Sequence, residues 1–410
     1  MSGLRPLVPL LIAAGILLAG NGLMGTLIAL RGVAEGFSPI SIGIMGTAYF
    51  LGFVIGCLYI PRLLRSVGHI RAFAAMAALA ATGTLLLVLI IDPYVWTAVR
   101  LLNGICFSSL FTIIESWLNS GAKNENRGRV LAIYRIIDIV AITGSQYIIP
   151  AVGVEGFTVF ALTSMIITLS LVPVSIGDRS NPTPPAELRL DVSAVWQVSP
   201  LAMLGAITVG LTNGAFRMVG PVYADAVGYS VAEIVTFLNA GIIGGALMQY
   251  PLGALSDRWD RRYVILASTT AAAASTLAIF MLGAGGITGY ALIFVFGSFA
   301  MPIYSLTAAH ANDRATSGEY VQVAAGLILF YSTGAVVGPI AASLLMQIYG
   351  SGGLFAFIAA AYIIFILITL YRIGAGDAVP TERRGRFAAL LRTSPIFIRM
   401  ARRVANRENG

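Results

Sequence analysis

Five ionisable residues stand inside long apolar runs of this chain: Arg100, Glu115, Arg135, Asp138 and Arg217. A charge in hydrocarbon costs at least about 2.5–3.5 kcal/mol on insertion scales, so each needs a partner, a water-filled cavity or a function. Arg135 and Asp138, spaced i, i+3, share a helix face and can neutralise one another. The same carboxylate in low dielectric can be tuned toward neutral pH, so Asp138 reads equally as half of a structural ion pair and as a proton site modulated by Arg135. Glu115 is shallower, and either couples protons or faces the basic residues at the membrane surface. Arg100 and Arg217 have no acid within a turn on their own helices. Arginine stays protonated and binds carboxylate or phosphate in a fork, so these two point to an anionic group on a substrate, to water or to a partner helix. Asn21 and Asn213 either pack helices or line a cavity, and Asn103 and Tyr304 complete the candidate cavity set.

The elements that must position these residues follow from composition. Of 410 residues, 58% are apolar and only 11% charged, and the mean hydropathy is +0.86, which no water-facing globular surface allows. The solvent is a lipid bilayer, where each span needs about 20 apolar residues and helices satisfy every backbone group. Twelve spans are predicted, centred near Leu18, Leu51, Thr82, Phe107, Ala141, Ile166, Gly210, Gly241, Ala274, Phe296, Thr333 and Phe365. Arg62, Arg65, Arg71, Lys123, Arg127, Arg129, Arg179, Arg189, Arg258, Arg261, Arg262 and Arg314 occupy the even-numbered connections, whereas the odd ones carry Glu35, Asp92, Glu155 and Asp225 with Arg31 alone. By the positive-inside rule the even connections and both termini are cytoplasmic. The net charge of +8 is then topology and not a nucleic-acid footprint. The first apolar run exceeds a signal-peptide core and is expected to be retained.

The chain also reads twice. Asn21-Gly22, Gly36-Phe37-Ser38 and the turn around Arg65 and Gly68 recur as Asn213-Gly214, Gly228-Tyr229-Ser230 and the turn around Asp257 and Asp260, at a constant offset of 192 (213 minus 21). The predicted fold is therefore all-α and polytopic, with twelve transmembrane helices in two pseudo-symmetric six-helix bundles. The bundles span residues 1–176 and 200–374, joined by a proline-rich cytoplasmic linker, 177–199, and followed by a basic tail, 375–410. Arginines and apolar residues interleave in that tail, which reads either as an amphipathic helix on the anionic inner leaflet or as a solvated basic extension.

Short motifs carry a resemblance. Gly253-Ala254-Leu255-Ser256-Asp257-Arg258-Trp259-Asp260-Arg261-Arg262 resembles motif A, G-x-x-x-D-R-x-G-R-R, of the major facilitator superfamily of secondary transporters, with Asp260 in place of a glycine. Its partner turn is degenerate, with Pro61 and Arg65 at the first glycine and the aspartate. Arg100 to Gly104 resembles motif B, whose arginine that family ties to proton coupling. Gly334, Gly338 and Pro339 form the G-x-x-x-G-P pattern in the eleventh span, whereas the antiporter form belongs in the fifth, where Gly144-Ser145 lacks the proline. Glu115-Ser116-Trp117-Leu118, Asn126 to Leu131, and His310-Ala311-Asn312-Asp313 resemble the YcaD-like carriers of the same superfamily.

The resemblance implies a gating role for Gly253, Asp257, Arg258, Arg261, Arg262, Gly334, Gly338 and Pro339. Independently of family, Asp257 at a helix end can accept hydrogen bonds from a neighbouring helix N-terminus or from Arg258 and Arg261. His310, at the cytoplasmic end of the tenth span, reads as an interfacial hydrogen-bonding residue or as one that titrates with pH, His69 is expected in a loop, and Cys57 and Cys106 read as small packing residues. No protease, P-loop or metal-ligand spacing occurs, so no catalytic residue, cofactor or metal is expected. The reading is a proton-linked, alternating-access carrier of small organic molecules in a bacterial-type inner membrane, acting as a monomer. The alternative is a non-transporting receptor or assembly factor on the same fold.

Overall fold

The computed structural model describes residues 7–122, 127–176, 192–283, 285–316, 319–376, 379, 384, 385 and 387. Most of the proline-rich linker and of the basic tail lies outside them. The described residues fall into two compact units, 7–176 and 192–387, and no strand occurs among them.

The first unit contains α1 (Val8–Ala34), α2 (Pro39–Val67), α3 (His69–Leu89), α4 (Pro93–Gly121), α5 (Arg127–Gln146), α6 (Ile148–Val152), α7 (Thr158–Leu169) and α8 (Leu171–Ile176). The second contains α9 (Val192–Val198), α10 (Pro200–Ala226), α11 (Val231–Arg258), α12 (Arg261–Leu282), α13 (Gly286–Ala300), α14 (Ile303–Arg314), α15 (Tyr320–Tyr349) and α16 (Gly353–Ala375). Among the described residues, twelve stretches are long and apolar enough to cross a membrane, three of them built from the broken pairs α5 with α6, α7 with α8, and α13 with α14. Each break falls within the turn preceding Pro150, Pro173 or Pro302, where the missing N–H leaves a carbonyl of the ladder without its donor. Pro61, Pro221, Pro251 and Pro339 nonetheless ride inside continuous helices.

The 192-residue repeat is visible in local geometry. Gly36 and Gly228 both hold positive φ, +75° and +87°, and Ser38 and Ser230 then cap α2 and α11 by accepting the N–H of Ser41 and Glu233. Packing repeats as well: in the first unit α1 packs on α5, α2 on α4 and α3 on α7, and in the second α10 packs on α15, α11 on α13 and α12 on α16. One departure concerns the linker, whose last residues form the helix α9. Val195 is buried there against Gly326, and the Trp196 ring lies 6.0 Å from that of Phe330, so apolar contact orders this piece.

Candidate functional site

In the first unit, small residues set the geometry. A Cβ at Gly104 would collide with the Tyr49 carbonyl, and one at Gly52 with the Leu101 carbonyl, so α2 and α4 cross at backbone contact. This crossing brings the Arg100 guanidinium over the Tyr49 ring, 4.3 Å from its centroid, and Arg100 is only 1% exposed. The Tyr49 hydroxyl in turn donates to Asn21 Oδ1 at 2.8 Å. Asn21, Tyr49 and Arg100, from three helices, thus form one connected polar chain. One turn beyond Arg100, Asn103 is fully buried beside Gly83 of α3, and neither amide atom has a hydrogen-bond partner among the described residues.

The acidic residues gather on the α4 and α5 side of the same unit. Arg135 Nη1 donates to Asp138 Oδ2 at 2.9 Å, the contact the i, i+3 spacing allows. Asp138 is buried and Arg135 half-buried. Tyr134, also buried, stands within electrostatic reach of both Asp138 and Glu115. Glu115 is fully buried, deeper than its place near a helix end suggests. His69 is likewise no loop residue. Gly68, with φ of +79°, turns the chain so tightly that His69 already opens α3, buried, with Nε2 3.3 Å from Ser116 Oγ and its ring beside Trp117.

In the second unit, Asn213 is buried on α10 and Arg217, one turn on, is exposed. Tyr304 is enclosed with its ring edge-on to Tyr331, the centroids 5.5 Å apart. Gly334 and Gly338 of α15 face the carbonyls of Ile207 and Leu211, and Gly210 of α10 faces that of Tyr331. They lie on the packed seam between α10 and α15, and Pro339 is buried next to Gly338. His310 is buried on α14, within electrostatic reach of Arg314 and Asp260.

The α11–α12 turn is an ion network. Arg261, 2% exposed, donates through Nε to Asp313 Oδ2 at 2.6 Å and through Nη1 to Asp257 Oδ1 at 3.1 Å and Ser256 Oγ at 2.8 Å. Arg258 is exposed and takes no described part in it. Asp260 stands where the motif has glycine because its φ of −63° needs none, and its carboxylate caps α12 by accepting the Arg262 N–H at 3.0 Å and binds the Arg262 guanidinium at 2.8 Å. The donor expected from a neighbouring helix N-terminus is instead the tail. The Phe387 N–H donates to both Asp257 oxygens at 2.9 and 3.1 Å, the Gly385 N–H donates to Asp313 Oδ1 at 3.0 Å, and the Gly385 carbonyl accepts from Arg261.

Sequence reasoning missed Tyr49, Tyr134 and the tail contacts. Tyrosines in apolar helices carry no local mark, although Tyr49 lies in the same repeat as Asn21. No group of three or more His, Cys, Asp or Glu among the described residues is placed to hold a metal.

Comparison with known proteins gives a consistent family. The family model described as Major Facilitator Superfamily matches residues 10–325 and 202–405. The chain is similar to the MFS-type transporter YcaD of Salmonella typhi, 24% identical over 372 residues covering 90% of this chain and 96% of that one. An MFS-type transporter of Yersinia pestis (strain Pestoides F) is 25% identical over 379 residues, covering 89% and 95%. Among solved structures, the nucleoside transporter NupG matches with a TM-score of 0.75 at 15% identity, covering 90% of this chain and 98% of that one. A bacterial homolog of the human lysosomal transporter Spinster matches with a TM-score of 0.71 at 12% identity, covering 92% and 97%. At such identities the structures speak for the fold alone.

Proposed function

Since the chain belongs to the Major Facilitator Superfamily, a family of membrane transporters, we propose that it is a proton-linked secondary carrier of a small organic molecule bearing a carboxylate or similar acceptor. The observation that carries the proton link is Asp138, 9% exposed inside a membrane span. It is held by Arg135 with Tyr134 beside it and Glu115 within reach of that tyrosine. Changing the proton count in such a low-dielectric cluster changes its energy far more than in water, which is what coupling to a gradient requires. In the first unit Arg100, with Asn21 and Asn103, and in the second unit Arg217, with Asn213 and Tyr304, are the residues assigned to meet the substrate. Alternating access then uses the two six-helix halves as its moving parts, with the α11–α12 turn and the Gly334, Gly338 and Pro339 seam as gating elements. The arginine-rich even connections support an inner membrane with both termini cytoplasmic.

The test begins with a thermal-shift ligand screen, because a substrate must stabilise the state it binds. In proteoliposomes loaded with that substrate, Asp138→Asn is expected to abolish accumulation under a pH gradient while counterflow exchange persists. Wild-type accumulation by the variant removes Asp138 from the coupling path and leaves Glu115 as the candidate.

A further inference from the structure

Three tail residues land on the α11–α12 turn and the end of α14 beside it. Phe387 gives its N–H to Asp257, Gly385 gives its N–H to Asp313 and its carbonyl to Arg261, and Arg384 Nη1 donates to the Trp259 carbonyl at 2.9 Å. The Phe387 ring fills the notch left by the missing side chain of Gly253, where a Cβ would collide with it. A carboxylate has about four lone-pair positions. On Asp257 the tail reaches both oxygens, and on Asp313 it takes the one that Arg261 Nε leaves.

We propose that Arg384, Gly385 and Phe387 form a strap that locks the α11–α12 turn, and ties it to α14, by bonding Trp259, Asp257, Arg261 and Asp313 from one segment. A tail merely lying on the surface would touch whatever side chains it met. This one matches its donors, its acceptor and its ring to the ordered residues Gly253, Asp257, Arg261 and Asp313. The strap leaves only when the tail's own bonds to Asp257, Arg261 and Asp313 are released. Its bearing on transport rests on the gating role proposed for this turn, but the lock itself can be measured without a substrate.

The experiment is hydrogen–deuterium exchange read by mass spectrometry on purified protein in nanodiscs. It compares the full chain, a chain ending at Gly376, Gly253→Ala and Phe387→Pro. The Gly253→Ala methyl displaces the ring, and Phe387→Pro removes the donor to Asp257 while keeping the tail. Loss of a charge-assisted hydrogen bond from a local opening unit is expected to raise exchange in residues 256–263 about tenfold or more in all three variants. Exchange across α3 should not change, and a synthetic peptide of residues 379–391 should restore protection to the shortened chain. Wild-type exchange in the shortened chain, or failure of the peptide to slow it, overturns the strap. Should that chain not fold, Phe387→Pro decides alone, with unchanged exchange overturning the proposal. Because no transport is read, these outcomes leave the carrier reading untouched, and a chain that carries nothing can still show the strap.

Discussion

Arg100 and Arg217 carry the same charge in different settings. The first is enclosed over the Tyr49 ring and the second is exposed on α10. Tyr49→Phe keeps the ring and removes the hydroxyl bonded to Asn21, so it should cost about 1 kcal/mol in chemical denaturation. Tyr49→Leu removes the cation–π contact too and should cost about 0.5–2 kcal/mol more. Arg217→Gln belongs to the substrate side, and is expected to raise KM for an anionic substrate far more than for a neutral one; equal effects exclude an anion contact. Asp260 gives a pH signature. Burial pushes its carboxyl up, but the Arg262 hydrogen bonds outweigh this and leave it below the ordinary carboxylate value. A folded value below the unfolded one means that its stabilisation is fully present above the unfolded value, about 3.9, and is lost as pH falls through the folded one. Asp260→Asn keeps an Asx cap without the charge, so its melting temperature should fall less than wild type between about pH 6 and pH 3. What the sequence made legible at this scale is charge and spacing, as with Arg135 and Asp138. The depth of Glu115 was hidden, because burial depends on which helices surround α4.

Among the helices, association without a hydrophobic drive in lipid depends on close backbone approach. The seam between α10 and α15 is built that way from Gly210, Gly334 and Gly338. A side chain at Gly338 would meet the Leu211 carbonyl, so Gly338→Leu should cost about 1–3 kcal/mol by overpacking and lower the detergent melting temperature. Gly144, which has no atom within 4 Å of a built Cβ, is the matched contrast. Gly144→Ala should be neutral or stabilise by up to about 1 kcal/mol through helix propensity. Gly210 looks like Gly144 in sequence, since a glycine announces a missing side chain but not what fills the space, whereas Gly334 and Gly338 stood out by the G-x-x-x-G-P pattern. Span positions, by contrast, were legible in full, because about 20 apolar residues in a row have one solution in a bilayer. The short helix α9 was not, since proline content upstream masked the apolar run Val195-Trp196.

Across the whole chain, the repeat that begins at Asn21 and resumes at Asn213 was readable from a handful of polar and glycine positions. The shared pairing of helices within each unit was not, because it is fixed by side chains that differ between the halves. The turns diverge as well: Gly68 holds φ of +79° where its counterpart Asp260 holds −63°. A molecule built this way contains its own internal standard. Gly36 and Gly228 adopt the same left-handed geometry before the same serine cap, with open space around both. Alanine at either position meets only the backbone penalty, about 1–2 kcal/mol, and no neighbour. Any difference between Gly36→Ala and Gly228→Ala in a melt is therefore a difference in how cooperatively each half unfolds, read with an identical chemical lesion in each.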